Sequence, residues 1–212
     1  MASASIIEDY LSSQDPVLGS LIKLYGHCPF LSETSAPDLF DRLASSIIGQ
    51  QLSTKAAAKI QSNILIASGS DVFTPDFFMH STVETLRSYG LSMAKARTLH
   101  EISSRIFSDA DFLIRMKDLS NDEISSVLCQ IKGIGPWTAK MFQMFGLMRQ
   151  DIFSLEDAGL MRGIRITYAH GNPIDPTEIE RIVSMWAPYK TIGAWYMWQV
   201  ANGQYQNRST SS

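Results

Sequence analysis

Apolar residues recur every three or four positions through most of the chain, and alternating β-branched runs are nearly absent. That periodicity predicts an all-α protein. The spacing predicts helices over 5–12, 16–25, 38–50, 54–67, 75–79, 82–89, 92–107, 112–114, 121–129, 136–146, 158–168, 176–186 and 191–201. Asp71 to Pro75 and Gly171-Asn172-Pro173 carry the residues of loops. From Asn202 onward the chain is polar without apolar periodicity, which predicts a frayed tail over 202–212. With 212 residues, 45% of them hydrophobic, the chain can bury a full core as one domain or as two small lobes.

Composition narrows this picture mostly by exclusion. Two cysteines, Cys28 and Cys129, are too few for a disulfide scaffold or a four-cysteine iron–sulfur cluster, and read as reduced, buried thiols of an intracellular protein. No apolar run has the length of a membrane span, and Met1 to Ser5 leads into a polar helix rather than a signal peptide. His27, His80, His100 and His170 lack metal-ligand spacing and read as surface or packing residues.

The chemistry concentrates between Leu128 and Ile164. Gly133-Ile134-Gly135 lies between two helical patterns, and Pro136 suits the first position of a new helix, where its missing N–H costs nothing. Alone, that tripeptide is only a turn. Joined to a helix N-terminus it offers outward amides, a favourable dipole and glycines that let an anion approach, and nucleic-acid backbone is the natural ligand. The formal net charge of −3 limits that reading to a local positive patch. Lys55, Lys59, Lys95, Arg97, Lys132 and Lys140 fall in or beside the segments that would form it. Asp157 stands immediately before the helical pattern of 158–168, where aspartate makes a good N-cap. Ser53 or Thr54, before KAAAKI, would likewise cap a helix.

The string GIGPWTA, its apolar helix and the aspartate of DIFSLEDAG resemble the helix-hairpin-helix superfamily of DNA base-excision glycosylases. GQQLSTKAAAKI at Gly49 to Ile60 and WAPYKTIGAWYMWQV at Trp186 to Val200 extend the match from about Asp15 to about Val200. Within the superfamily the chain looks most like the alkylpurine (3-methyladenine) glycosylases of bacteria and fungi.

The resemblance implies a two-lobed helical fold with DNA lying in the cleft between the lobes. Residues 1–35 would pack with the C-terminal lobe, 36–127 would form a central lobe, and 128–201 would carry the hairpin and C-terminal helices. It implies phosphate binding by Gly133, Ile134 and Gly135, with Thr138, Lys140 and Lys95 beside them. A structural Na+ or K+ would sit on the backbone carbonyls of Cys129, Ile131 and Ile134, with no cofactor for catalysis. Asp157 would be the catalytic carboxylate, stabilising positive charge on the deoxyribose. Trp137, Met141 and Trp198 would line the base pocket, where a methylated, cationic purine stacks on electron-rich rings. Gln51, Leu52 and Ser53 would form the wedge that fills the gap left by a flipped base. Strand-cutting relatives place a Schiff-base lysine where this chain has Trp137, so the implied enzyme is monofunctional.

Four positions depart from the family pattern. Ser154 replaces a usual proline, Ala158 sits within the unit after the aspartate, Met141 replaces a pocket tyrosine, and Ser53 replaces a histidine of some fungal relatives. These keep a second expectation open, a homologue that binds abasic or damaged DNA with little or no excision. The implied partner in either case is double-stranded DNA with alkylated bases or abasic sites, bound by a monomer. The location follows from the substrate: the nucleus in a eukaryote, the cytoplasm otherwise.

Overall fold

Most helices in this chain begin where a short polar side chain can take up an otherwise unbonded amide, and the polar punctuation therefore sets the element order. A computed structural model describes residues 4–31 and 38–203. The elements run α1 (Ala4–Gln14), α2 (Pro16–Tyr25), a 3₁₀ turn (Pro29–Leu31), α3 (Leu39–Gly49), α4 (Thr54–Ser68), α5 (Pro75–His80), α6 (Val83–Ser88) and α7 (Met93–Ser108). A second 3₁₀ turn (Ile114–Asp118) follows, then α8 (Asn121–Cys129), α9 (Pro136–Phe145), α10 (Ala158–Ala169), α11 (Pro176–Ser184) and α12 (Lys190–Ala201). No strand occurs among the described residues, and no helix there is long and apolar enough to cross a membrane. Side chains of Asp15, Asp38, Ser53, Thr74, Thr82, Ser92, Ser120, Asp157 and Asp175 accept first-turn amides of the helices they precede. Ser120 and Glu123 complete a reciprocal capping box.

The chain forms two compact units, Met1–Ala36 with Met148–Ser212, and Pro37–Leu147. This moves a boundary: the hairpin and α9 belong to the second unit rather than to a C-terminal lobe starting at 128. The cause is apolar burial. Ile131 and Ile134 of the hairpin and Ala139 and Phe142 of α9 join one core with Leu43, Ile47 and Ile48 of α3, Leu99 of α7 and Leu128 of α8. Three smaller corrections accompany it. Residues 29–31 turn helically without a prior signal, the helix expected at 112–114 is a 3₁₀ turn at Ile114–Asp118, and Cys129 is exposed at the end of α8. Cys28 is buried as expected, and that burial pushes its thiol up to about 12, which keeps it unreactive. The polar segment from 204 onward lies outside the described residues.

In the first unit α12 is apolar on nearly every side and forms the central helix, with Ile192, Ala194, Tyr196, Met197 and Val200 buried. Gly163 of α10 permits the close crossing with α12, because a methyl group there would lie 2.2 Å from the Met197 carbonyl oxygen. Two buried carboxylates tie α1 and α2 to the rest of the unit. Glu8 accepts bonds from the Cys28 amide and the Tyr196 hydroxyl, each at 3.0 Å, and pairs with His27 Nδ1 at 2.5 Å. Asp15 caps α2 through Oδ1, while Oδ2 accepts from Tyr168 Oη at 2.6 Å and Trp186 Nε1 at 2.9 Å. Burial and these carboxylate partners push both phenols, Tyr168 and Tyr196, above the usual tyrosine range.

Asp15→Ala removes every one of those acceptors while leaving buried donors behind. It is expected to cost about 3 kcal/mol in urea unfolding; a loss below about 1 kcal/mol would show that the carboxylate is dispensable.

Candidate DNA-contacting site

The hairpin is built by turning its carbonyls inward. After α8, Ile131 N donates to Leu128 O and Ile134 N to Ile131 O, both at 3.0 Å. Gly133 takes φ +96°, a region closed to most side chains, and Thr98 Oγ1 donates to Lys132 O at 2.9 Å. Gln50 Nε2 donates to Gly133 O at 3.0 Å and to Thr138 Oγ1 at 2.7 Å. Among the described residues, the amides of Gly133 and Gly135 have no acceptor. Gly135 is the N-cap of α9 and supplies no side-chain cap, unlike the residues that start the neighbouring helices α3 to α8. An anion could take the place of the missing cap.

This geometry redistributes several of the expected phosphate contacts. Ile134 uses its amide within the turn and buries its side chain. Thr138 is only 2% exposed, and its hydroxyl accepts from Gln50 rather than facing solvent. Lys95 donates to Ile48 O at 2.9 Å and Gln50 O at 2.7 Å, closing the C-terminal end of α3, where a cation suits the helix dipole. Burial holds its ammonium below the ordinary lysine range. Gly133 and Gly135 leave their amides without an acceptor among the described residues, and Lys140 is half-buried on α9.

The wedge segment is brought against this hairpin within the same unit. Gln50 has φ −50° and ψ 129°, Gln51 has φ +54°, and Leu52 N donates to Gly49 O at 3.2 Å. These are the features of a type II turn, which ordinarily takes glycine at the third position. Here Gln51 occupies it at a conformational cost, and the turn lifts Leu52 to 39% exposure, with Gln51 and Ser53 exposed beside it. Ser53 also caps α4. Gln50 and Thr98, which hold the arrangement together, were not among the residues singled out from sequence; nothing in a helical pattern distinguishes a side chain that bonds a distant carbonyl.

Charge is distributed to match. The segments 42–70, 85–100 and 124–147 contain lysines and arginines but no aspartate or glutamate. They meet at the contacts of Gln50 with Gly133 and of Lys95 with Gln50. A chain of net charge −3 thus carries cations around the hairpin and the 50–53 turn on segments that contain no carboxylate side chain of their own.

Of the residues expected to line a base pocket, two lie in this unit on α9: Trp137 is half-buried and Met141 is 4% exposed. Asp157 and Trp198 belong to the first unit and touch each other. Asp157 is 8% exposed, and its Oδ1 accepts from Leu160 N at 2.8 Å and from Trp198 Nε1 at 3.0 Å. Trp198 is therefore oriented by the carboxylate. Ser154 is buried and keeps a tight approach to Asp157: its carbonyl accepts the Asp157 amide at 3.2 Å and its hydroxyl donates to Glu156 at 2.8 Å. Gly159 leaves room for the pair, since a methyl there would lie 3.1 Å from both Asp157 Oδ1 and Trp198 Cδ1. No cluster of side chains suited to a metal occurs among the described residues. At the hairpin the Ile131 carbonyl already accepts one amide, and its second lone pair, like the neutral carbonyls of Cys129 and Ile134, has the chemistry of a monovalent-cation ligand.

Gln51→Gly relieves the left-handed strain and is expected to raise stability by up to about 1 kcal/mol, whereas Gln51→Ala gains nothing. Chemical denaturation of the three proteins measures this, and a clear loss for the glycine variant would mean that the turn is not strained.

Comparison with known proteins accords with this geometry. The family model "HhH-GPD superfamily base excision DNA repair protein" matches residues 44–188. The alkylbase DNA glycosidase-like protein mag2 of Schizosaccharomyces pombe is 30% identical over 197 residues, covering 91% of this chain and 92% of that protein. DNA-3-methyladenine glycosylase 1 of the same yeast is 31% identical over 208 residues, covering 95% and 89%. The structure of the S. pombe 3-methyladenine DNA glycosylase Mag1 in complex with abasic DNA matches with a TM-score of 0.80 at 27% identity, over 92% of this chain and 96% of that one. With the family model spanning most of the chain and relatives matching over nearly their whole length, this protein belongs to the HhH-GPD superfamily of base excision DNA repair proteins.

Proposed function

We propose that the protein is a monofunctional DNA glycosylase that flips alkylated purines out of duplex DNA and hydrolyses their N-glycosidic bond. The observation that carries this reading is the buried Asp157 carboxylate, fixed by the Leu160 amide and the Trp198 indole. A methylated purine is already a good leaving group, so the main barrier is the positive charge that develops on the sugar as the base departs with the bonding electron pair. A preorganised carboxylate stabilises that charge, and water then attacks C1′ and loses a proton. Trp137 stands where an attacking lysine would be needed for a Schiff base, which favours hydrolysis without strand cleavage. Gly133 and Gly135 would hold phosphates, Leu52 would enter the stack and Gln51 would meet the orphaned base. The carbonyls of Cys129, Ile131 and Ile134 would hold Na+ or K+ as a brace for the hairpin. The site of action is the compartment that holds the DNA, the nucleus in a eukaryotic cell.

A second reading, binding to abasic or damaged DNA with weak excision, is favoured by one detail. Both donors named for Asp157 converge on Oδ1, where they draw on the charge that a sugar cation would need. Release of methylated base from duplex DNA separates the two readings.

Asp157→Asn keeps an oxygen for the Leu160 amide but loses the charge. Base release is expected to fall about 100-fold or more, with far smaller change in abasic-duplex affinity. If the parent releases no base above background, the binding reading replaces the enzymatic one.

The two glycines should differ. A methyl at 135 meets nothing within 4 Å, so Gly135→Ala should fold normally yet weaken binding to damaged and undamaged duplex alike by about 10-fold, by screening amides from phosphate. A methyl at 133 would lie 2.1 Å from Thr98 Oγ1 on a backbone at φ +96°, so Gly133→Ala should lower the melting temperature as well. Normal DNA affinity in Gly135→Ala would remove the hairpin from the interface.

A further inference from the structure

The wedge turn and the hairpin are joined by one side chain. The Gln50 carboxamide places both N–H bonds across 83 and 88 residues of sequence, on Gly133 O at 3.0 Å and Thr138 Oγ1 at 2.7 Å. Its backbone carbonyl is held from the other side by Lys95 Nζ at 2.7 Å. Lys95 starts on α7, the helix that also sends Thr98 to Lys132 O at 2.9 Å. Gln50 is the second residue of the type II turn, directly before the strained Gln51 and two before Leu52. A residue in the left-handed region persists when its surroundings over-determine it, and these bonds supply that determination.

We propose that Gln50 is a positioning residue that locks the wedge turn to the phosphate-binding hairpin, so that gripping the backbone and inserting Leu52 happen as a single rigid-body event. The inference rests on the repair reading above for what the wedge inserts into. Its physical basis is preorganisation: a wedge held at a fixed offset from the gripped phosphates loses no conformational freedom when it enters the stack. A loose wedge would have to find the gap after the backbone was bound. Thr138 then serves as the acceptor for Gln50 at the third residue of α9, which accounts for its buried hydroxyl. Lys95, donating to the last carbonyls of α3, holds the turn rather than the DNA.

The test uses the full chain and Gln50→Met, which keeps length and neutrality but donates nothing. Thr138→Val is the second variant, removing one acceptor at nearly constant volume. Two readouts are needed. In the DNA-free protein, both variants should raise amide exchange about 10-fold in 49–52 and 131–135 together, with global unfolding little changed. On DNA, preference for an abasic duplex over an intact one should fall about 10-fold in Gln50→Met, while intact-duplex affinity moves little. Adding Leu52→Ala to Gln50→Met should produce no further loss of that preference, since both act through insertion. Unchanged exchange in either segment overturns the coupling, as does an additive double variant. A parent protein with no preference for the abasic duplex defeats the repair reading instead, and the exchange measurement then decides the lock by itself.

Discussion

Gly133 is constrained twice, by a backbone angle of +96° and by Thr98 Oγ1, which would lie 2.1 Å from any β-carbon placed there. The same tight turn directs the carbonyls of Lys132 and Gly133 inward to Thr98 and Gln50. The amides of Gly133 and Gly135 have no acceptor among the described residues. Thr98 and Gln50 occupy carbonyls that could otherwise compete for those amides, which leaves the amides available to an anion.

Buried carboxylates do two kinds of work in the first unit. Glu8 and Asp15 each have both oxygens engaged, Glu8 Oε2 by the exposed His27 ring, and hold helices together. Asp157 shares with Asp15 the role of N-cap and an indole partner, and the donors named for it meet on a single oxygen. Capping fixes the side chain's rotamer, which a structural role and a catalytic one both require. The cap by itself therefore serves either role.

Much of the architecture was legible in the sequence because helix starts carry local signals. Asp15-Pro16, Ser53, Ser92, Ser120 and Asp175-Pro176 mark ends that the structure reproduces within a residue or two. The exposed turn at 50–53 and the glycine hairpin were also legible, since turn chemistry and loop position are written in neighbouring residues. Long-range partners were not. Lys95 reads as a phosphate contact until the Ile48 and Gln50 carbonyls are seen to accept its hydrogen bonds, and Thr138 and Ile134 read as surface donors until burial and the turn claim them. The boundary at Leu147 was hidden for the same reason: whether the hairpin packs with the helices before it or after it depends on which core receives Ile131 and Ile134. Cys129, one position beyond the buried Leu128, shows how a single step around a helix reverses exposure.

The acid-free segments around the hairpin have a consequence for encounter. A molecule of net charge −3 is repelled by DNA at a distance whenever an acidic surface leads. Rotation that brings 42–70, 85–100 and 124–147 forward turns repulsion into attraction over roughly one Debye length, about 8 Å at physiological salt. The electrostatic torque then filters orientations before any hydrogen bond forms, so unproductive collisions separate quickly and the search for a rare lesion wastes little time on wrongly faced complexes.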